Sequence, residues 1–327
     1  MKNIIRFLQV FANTVQTTLL TGLTAEMKTF YDMTLIDEAQ AALVHDQFGQ
    51  KRPIPKNGGK TIEFRKFAAL TKALTPLTEG VTPDGKGLTV STITATVNQY
   101  GDYITQSDVL ELTSLDYTIL EATKLLGRQA GLTLDTIVRN VMQSGTNVTY
   151  CPKADGTAVT SRANLDNTCQ LTVDVINQVV AKLRAQNAPT IGGKYVAIIH
   201  PYVAYDLMTD PAWQDAHKYC KPENMYEGEI GEIGGVRFVQ TSEAKIYSGG
   251  VFGTLIFGEG AYGVTEITGG GLQTIVKQKG SAGTADPLDQ RSSVGWKAIK
   301  TAELLIPQYL VRVESKSAVF SATAAEN

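Results

Sequence analysis

Residues 252–315 read FGTLIFGEGAYGVTEITGGGLQTIVKQKGSAGTADPLDQRSSVGWKAIKTAELLIPQYLVRVES. Short apolar runs alternate in this stretch with glycine-rich turns, a pattern that is typical of successive β-strands. The stretch contains no cluster of a nucleophile, a base and metal ligands. Its pattern therefore indicates a role that depends on shape rather than on catalysis.

The composition indicates a globular protein. The 327 residues, 43% of them hydrophobic, can bury at least one full core and suffice for two domains. Because 30 basic residues balance 32 acidic ones, the chain lacks the positive excess of a protein that grips phosphates. Nucleic acid is expected as a neighbour and not as a tight ligand. Cys151, Cys169 and Cys220 show no CxxC spacing, so we interpret them as structural thiols in a reducing compartment.

The N-terminal segment MKNIIRFLQVFANTVQTTLL combines a lysine with apolar residues, as a secretory signal does. Arg6, Gln9 and Asn13 interrupt this apolar run, which falls short of the roughly 18 apolar residues of a membrane span. We interpret the segment as a mobile or amphipathic arm, and we expect neither export nor a membrane partner.

Two contrasting patterns follow this arm. Apolar residues between Thr24 and Phe48 recur at helical spacing, which predicts an amphipathic helix that ends at Gly49. From Lys51 to Tyr103, apolar and polar residues alternate in two runs, which predicts two strands, with a β-bulge where the phase slips at Ser91–Thr92. A strand from Lys60 to Leu70 would reach about 30 Å. This hairpin is too polar to form its own core, so we expect it to lean on another subunit.

The longest helical pattern runs from Asp116 to Gly145. The hydroxyl of Thr113, three residues before Asp116, predicts a capping box at its start. Gly127 and Gly131 lie inside the pattern, either to admit the backbone of another element or as tolerated surface glycines. The sequence therefore predicts one long helix with one buried face.

The remaining chain mixes helices and strands. A second helix is predicted from Thr172 to Asn187, and a buried strand at Tyr195–Ile199. His200–Pro201 and Asp210–Pro211 open two short helical segments, and strands alternate with glycine turns from Gly234 onward. Because no regular βαβ repeat is present, a doubly wound parallel sheet is not indicated.

Two glycine motifs resemble nucleotide-binding loops. Residues 56–61 end in the GKT of a phosphate-binding loop, but Ile54 occupies the position of its first glycine and a strand follows. Residues 258–263 match GxGxxG, but no helix follows them. We interpret both motifs as turns.

The ionisable residues form no recognisable site either. His45, His200 and His217 share no metal-ligand spacing. Asp286 and Arg291 belong to a charged cluster that also contains Asp289, which predicts a turn held by side-chain caps and ion pairs. The sequence thus predicts no catalytic residue, no cofactor and no metal.

Several collinear blocks resemble the major capsid proteins of tailed bacteriophages. The C-terminal stretch contributes FGEGAYG, KGSAGTADPLDQR, VGWK and YLVRVES. Upstream blocks are LVHDQFGQKRPIPKNGGKTIEFRKF from Leu43, LTPLTEGVTPDG from Leu74, YVAIIHPYVAYDL from Tyr195 and GEIGEIGGVRFVQT from Gly228. The resemblance extends from about Thr24 to Ser315.

This resemblance implies an α+β chain with the Hong Kong 97-type coat-protein fold. Its parts would be an N-terminal arm and helix (1–50), an extended β-hairpin loop (51–103), a peripheral domain with a long spine helix (104–170), an axial domain (171–290) and strands returning to the peripheral domain with a C-terminal tail (291–327). The extended loop would reach over a neighbouring subunit.

The implied function is self-assembly into an icosahedral shell around phage double-stranded DNA. The implied partners are further copies of the chain in hexamers and pentamers, a scaffolding protein, a portal protein and DNA bound without sequence specificity. The implied location is the virion, with the host cytoplasm during assembly. On the hairpin, Lys60, Glu63, Arg65 and Lys66 are candidates for ion pairs between subunits, or else they form a solvated strand face.

Two other functions compete with this interpretation. An encapsulin-like nanocompartment would share the shell but would enclose an enzyme. A cytoplasmic nucleotide-binding enzyme would instead use Lys60 or the turn at residues 258–263. Binding of a nucleotide by a monomer would favour the enzyme.

Overall fold

A computed structural model describes residues 33–39, 43–67, 70–77, 79–82, 84–113, 118–217, 231–281 and 286–327. The helices are residues 33–39 (α1), Asp108–Thr113 (α2), Thr118–Gln143 (α3), Val173–Ala185 (α4), Pro201–Thr209 (α5) and Pro211–His217 (α6). The strands are Gln50–Lys51 (β1), Thr61–Phe67 (β2), Val90–Thr96 (β3), Asn98–Ser107 (β4), Val148–Tyr150 (β5), Tyr195–Ile199 (β6), Glu232–Ile233 (β7), Val236–Gln240 (β8), Ile246–Tyr247 (β9), Val251–Phe257 (β10), Tyr262–Glu266 (β11), Gln273–Lys277 (β12), Arg291–Leu304 (β13) and Leu310–Lys316 (β14).

Two larger sheets and one separate hairpin organise these strands. A five-stranded sheet has the order β1-β11-β13-β12, and β4 pairs with β13 as well. A seven-stranded sheet has the order β5-β14-β10-β6-β8-β7, and β9 pairs with β10. Among the described strands, β2 and β3 pair only with each other. The fold is therefore mixed α and β, as predicted, and its described strands form no doubly wound parallel sheet.

Helix α3 joins the two larger sheets. Its first half packs through Leu126, Ala130 and Leu134 on the five-stranded sheet, where it meets Trp296. Its second half supplies Val138 and Met142 to a core shared with residues of β10 and β11. A long helix with one buried face was predicted here, and the structure confirms it; the capping box at its start lies outside the described residues.

Gly127 admits the backbone of another element, which was one of the two roles that the sequence allowed. A side-chain carbon at this position would lie 2.8 Å from the carbonyl oxygen of Leu35 in α1 and 3.0 Å from the Cβ atom of Glu38. Glycine therefore lets α1 pack directly on α3. Arg128 reinforces the contact, because its Nε atom lies 2.9 Å from a carboxylate oxygen of Glu38.

The other core lies around the seven-stranded sheet. Every residue of β6 and β10 is buried. Helix α4 covers the sheet with Ile176, Val179 and Leu183, which are also fully buried. The predicted second helix, the buried strand after it and the short helices that begin at Pro201 and Pro211 are all confirmed.

The predicted helix from Thr24 to Phe48 is wrong over its last part. Residues 33–39 are helical, whereas residues 43–49 form turns and residues 24–32 and 40–42 lie outside the described part of the chain. The physical reason is a long-range contact, since Asp135 of α3 accepts hydrogen bonds from the backbone N–H groups of Val44 and His45.

The predicted bulge at Ser91–Thr92 is also wrong. Strands β2 and β3 keep one antiparallel register from Thr61 opposite Thr96 to Phe67 opposite Val90. The change of phase in the sequence reflects exposure rather than a bulge, because Val90 is half exposed and most of the strand faces solvent.

The strands that follow residue 250 divide between the two sheets. Strands β11 and β12 pair with β13 in the five-stranded sheet, whereas β14 pairs with β10 in the seven-stranded sheet. The chain therefore crosses between the sheets more than once. The proposed domain boundaries remain a prediction.

Candidate subunit interface

The hairpin of β2 and β3 projects from the body of the chain with little buried surface. Its base is held by a small apolar cluster of Phe64, Ala95 and Leu305. The Phe64 ring would lie 3.0 Å from a side-chain carbon at Gly263, so the ring packs directly on the backbone of β11. On its return, the hairpin continues into β4, which pairs with β13 from Asn98 to Ser107.

Three of the four candidate ion-pairing residues lie on the two faces of β2, and Lys60 immediately precedes that strand. Side chains alternate along a strand, so Glu63 and Arg65 lie on one face, while Lys66 lies on the face of the buried Phe64. Lys60, Glu63 and Arg65 are exposed, and Lys66 is partly buried. None of the four forms an ion pair with another residue in the described part of the chain. Their role between subunits remains a prediction.

The tip of the hairpin carries exposed apolar side chains that sequence reasoning missed. Every described residue from 70 to 92 is exposed. Among them Leu74 is 82% exposed, Leu77 76% and Leu88 66%. Contiguous exposed apolar surface marks interaction sites in soluble proteins. The sequence did hold a signal, because these residues sit among prolines and glycines without the periodicity that would let them join the chain's own core.

The two glycine motifs that resemble nucleotide-binding loops form turns next to strands. Residues 56–60 precede β2, so the GKT sequence does not meet the N-terminus of a helix. Residues 258–261 form the turn between β10 and β11, and Gly260 has a φ of 72° there. Neither segment offers the helix N-terminus that a bound phosphate would need, which disfavours the nucleotide-binding alternative.

The charged turn near residue 290 is confirmed. The backbone N–H of Arg291 donates to Asp286 Oδ2 at 2.8 Å, and the Arg291 Nε atom lies 3.8 Å from the same oxygen. Asp289 adopts a positive φ of 50° within the turn. These contacts explain the cluster as a structural cap.

His45, His200, Cys151 and Cys169 have structural surroundings. His45 is fully buried against Asp135, and His200 caps helix α5 by accepting from the Tyr202 N–H at 3.1 Å. Burial lowers the pKa of His200 to about 4 and raises the pKa of the Cys151 thiol. Cys151 and Cys169 are buried free thiols, while Cys220 lies outside the described residues.

The described residues contain no group of three His, Cys, Asp or Glu side chains that could hold a metal ion. Among the helices formed by those same residues, none is long and apolar enough to cross a membrane.

Comparison with known proteins identifies the class. Residues 89–303 match the family model described as phage capsid protein, and this match covers more than half of the chain. The chain therefore belongs to the phage capsid protein family. No curated protein matches the sequence.

Solved capsid structures share the fold at low sequence identity. The capsid of cyanophage Pam1 superposes with a TM-score of 0.67 at 13% identity, covering 86% of this chain and 92% of that one. The capsid of cyanophage P-SCSP1u gives a TM-score of 0.66 at 14% identity, covering 84% of this chain and 88% of that one. The capsid of Ralstonia phage GP4 gives a TM-score of 0.62 at 15% identity, covering 84% of this chain and 88% of that one. These likenesses show the Hong Kong 97-type fold that the sequence predicted.

Family and fold together assign the role. The chain is a major capsid protein that forms the shell of a bacteriophage head, and its place is the virion. The nanocompartment alternative is not favoured, because the family model is that of phage capsid proteins. The prediction that the chain is not an enzyme accords with a structural family, but it stays a prediction.

Proposed function

We propose that the hairpin of β2 and β3 is the main contact between subunits, and that its tip docks on a neighbouring copy within hexamers and pentamers. The observation that carries this proposal is the exposure of Leu74, Leu77 and Leu88 in a segment that makes no core of its own. Burying apolar surface contributes about 25 cal/mol per Å², so a neighbouring copy that covers these leucines gains stability with each contact.

Closure of the shell follows from repetition of this contact. A hairpin that reaches from one copy to the next makes a heterologous contact, and such contacts form rings when the rotation closes. Each copy then both gives and receives a hairpin. Modest interfaces add up in such an assembly, because every further contact is made within a structure that is already joined.

The charged residues of β2 would orient this contact. Glu63 and Arg65 lie on the face opposite Phe64 and have no ionic partner within the described chain, so they are open to charges of another copy. Lys66 lies on the other face, Lys60 immediately precedes the strand, and both would contact a different part of the neighbour. Charge complementarity of this kind mainly fixes register and speeds association.

The expected partners beyond the chain itself are a scaffolding protein, a portal protein and the packaged double-stranded DNA. A net charge of −2 supports a lining that holds DNA without tight binding. Assembly would take place in the host cytoplasm.

The proposal is tested by the double substitution Leu74→Ser with Leu77→Ser. We expect a folded chain that no longer forms rings, tubes or shells, alone or with candidate scaffolding partners, in sedimentation velocity and negative-stain electron microscopy. Val319→Ser is the matched control, because it removes an exposed valine from the C-terminal tail and should leave assembly intact. Normal shells from the double variant would contradict the proposal.

A further inference from the structure

A fully buried histidine and aspartate lie just before the hairpin. His45 Nδ1 is 2.6 Å from Asp135 Oδ2, and both side chains are inaccessible to solvent. The other oxygen of Asp135 accepts from the backbone N–H groups of Val44 and His45, at 2.9 Å and 2.7 Å. Because a carboxylate oxygen only accepts hydrogen bonds, Nδ1 of His45 carries the hydrogen. One side chain of α3 thus holds three donors of the segment at residues 43–49.

The same segment is fixed from two further sides. The Tyr262 hydroxyl of β11 donates to the carbonyl oxygen of His45. Lys300 Nζ of β13 lies 3.1 Å from Asp46 Oδ1, and both of these side chains are largely buried. A side-chain carbon at Gly49 would lie 2.6 Å from the Tyr262 ring. We call the contacts of Val44, His45 and Asp46 with Asp135, Tyr262 and Lys300 the hairpin anchor.

The anchor is tied to the strand that enters the hairpin. After Gly49 the chain forms β1, which pairs in parallel with β11, and Ile54 bridges to Ile267. Strand β2 begins seven residues after Ile54 and places Phe64 against Gly263 of the same β11. Strand β2 itself pairs with β3 and with no other strand in the described chain. The anchor therefore fixes the start of the entering side, and β1, Ile54 and Phe64 continue that attachment along β11.

The returning side of the hairpin is fixed independently. Strand β3 runs into β4, whose ten residues all pair with β13. Loss of the anchor should consequently loosen residues 43–49 while the five-stranded sheet, including β1, stays formed. The entering side would then start from a loosened segment, and the hairpin would be oriented less tightly than in the wild type.

We propose that Asp135 and His45 are positioning residues for shell assembly, which act by fixing the direction in which the hairpin projects. The inference rests on the proposed role of the hairpin as a subunit contact. Polar side chains that merely stabilised the fold could be spread over the core, whereas these converge on the one segment that leads into the hairpin.

The test combines hydrogen exchange with assembly. In Asp135→Ala we expect exchange of backbone amides in residues 43–49 to speed up by about tenfold or more, because several buried hydrogen bonds are lost. Exchange in β10 should stay as in the wild type. The concentration needed for assembly, measured by sedimentation velocity, should rise by about tenfold. Glu121→Ala is the control, since Glu121 is an exposed acid of the same helix.

Two milder variants keep the test decisive if Asp135→Ala does not fold. His45→Phe keeps a ring of similar size and leaves the backbone donors on Asp135. Asp135→Asn keeps the volume and can still accept from the backbone, but its amide group faces His45 Nδ1. That histidine must then move its hydrogen to Nε2, which is buried and has no hydrogen-bond partner in the described chain. We expect Asp135→Asn to restore part of the assembly that Asp135→Ala loses.

The outcomes separate this inference from the proposed function. Faster exchange in residues 43–49 with unchanged assembly would overturn the inference and leave the hairpin contact standing. Equal acceleration in β10 for all three variants would also overturn it, since the residues would then act on global stability. Normal assembly of the Leu74→Ser and Leu77→Ser double variant, whose anchor is intact, would instead refute the proposed function.

Discussion

The seven-stranded sheet buries its apolar side chains, whereas the tip of the hairpin exposes them to solvent. In the sheet, every residue of β10 is buried, and Leu255 is 1% exposed. In the hairpin, Leu74 and Leu77 are more than three quarters exposed. The sheet thus buries its apolar surface within one chain, while the hairpin leaves apolar surface exposed for contact with another chain. The difference separates residues that fold the subunit from residues that join subunits.

The largest expected effect on the free energy of unfolding comes from a direct comparison of the two regions. Leu255→Ala should lower the free energy of unfolding by about 2–5 kcal/mol, because it leaves a cavity in a close-packed core. Leu77→Ala should change it by less than about 0.5 kcal/mol, since an exposed side chain has little packing to lose. Urea unfolding followed by circular dichroism measures both values. A large loss in Leu77→Ala would show that the tip packs on its own chain after all.

An intermediate effect concerns the pH dependence of the sheet region. Burial lowers the folded-state pKa of His200 to about 4, whereas an unfolded histidine has a pKa of about 6.5. Between these values the unfolded chain binds more protons, so stability falls as the pH drops from about 6.5 towards 4. We expect the wild type to lose roughly 1–2 kcal/mol from this group between pH 7 and pH 5.

His200→Asn isolates that contribution. Asparagine is a good N-cap residue, so it can still accept from the Tyr202 N–H while it carries no titrating group. Its unfolding free energy should therefore depend less on pH than that of the wild type, by the same roughly 1–2 kcal/mol. An identical pH dependence in both proteins would show that His200 does not titrate as described.

The smallest effect on stability is expected for the charges of the hairpin. Arg65→Glu should leave the free energy of unfolding within about 0.5 kcal/mol of the wild type, because Arg65 is exposed and has no ionic partner among the residues that the structure describes. If it faces an acid of a neighbouring copy, assembly should slow and its dependence on salt should change. Light scattering during assembly at low and high salt measures this. Unchanged kinetics at every salt concentration would favour a merely solvated strand face.

Local patterns predicted most of the elements. Helix α4, strand β6 and the turn at residues 258–261 follow from periodicity, from Pro201 and Asn187 as boundaries, and from glycine. These features depend on neighbours in sequence, so the chain alone indicates them. The failures at residues 43–49 and at Ser91–Thr92 have the opposite cause, because distant contacts of Asp135 and the exposure of β3 decided them.

The candidate interface was predicted in its position but not in its chemistry. The polarity of residues 51–103 indicated a hairpin that needs a partner, and in the described structure β2 and β3 pair with no strand of the two larger sheets. The charged residues of β2 drew attention because ion pairs are easy to recognise in a sequence. The prolines and glycines around Leu74 and Leu77 were a signal for their exposure, but only the folded chain shows which apolar residues remain uncovered.

The most direct test of the subunit contact is photo-crosslinking from the hairpin tip. A photoreactive amino acid at position 77 should, in assembled shells, join the tip to another copy and give a ladder of covalent oligomers on a denaturing gel. The same amino acid at position 255, which is buried in β10, should give none. Intact shells that yield no product between copies from position 77 would contradict the claim that the hairpin tip docks on a neighbouring subunit.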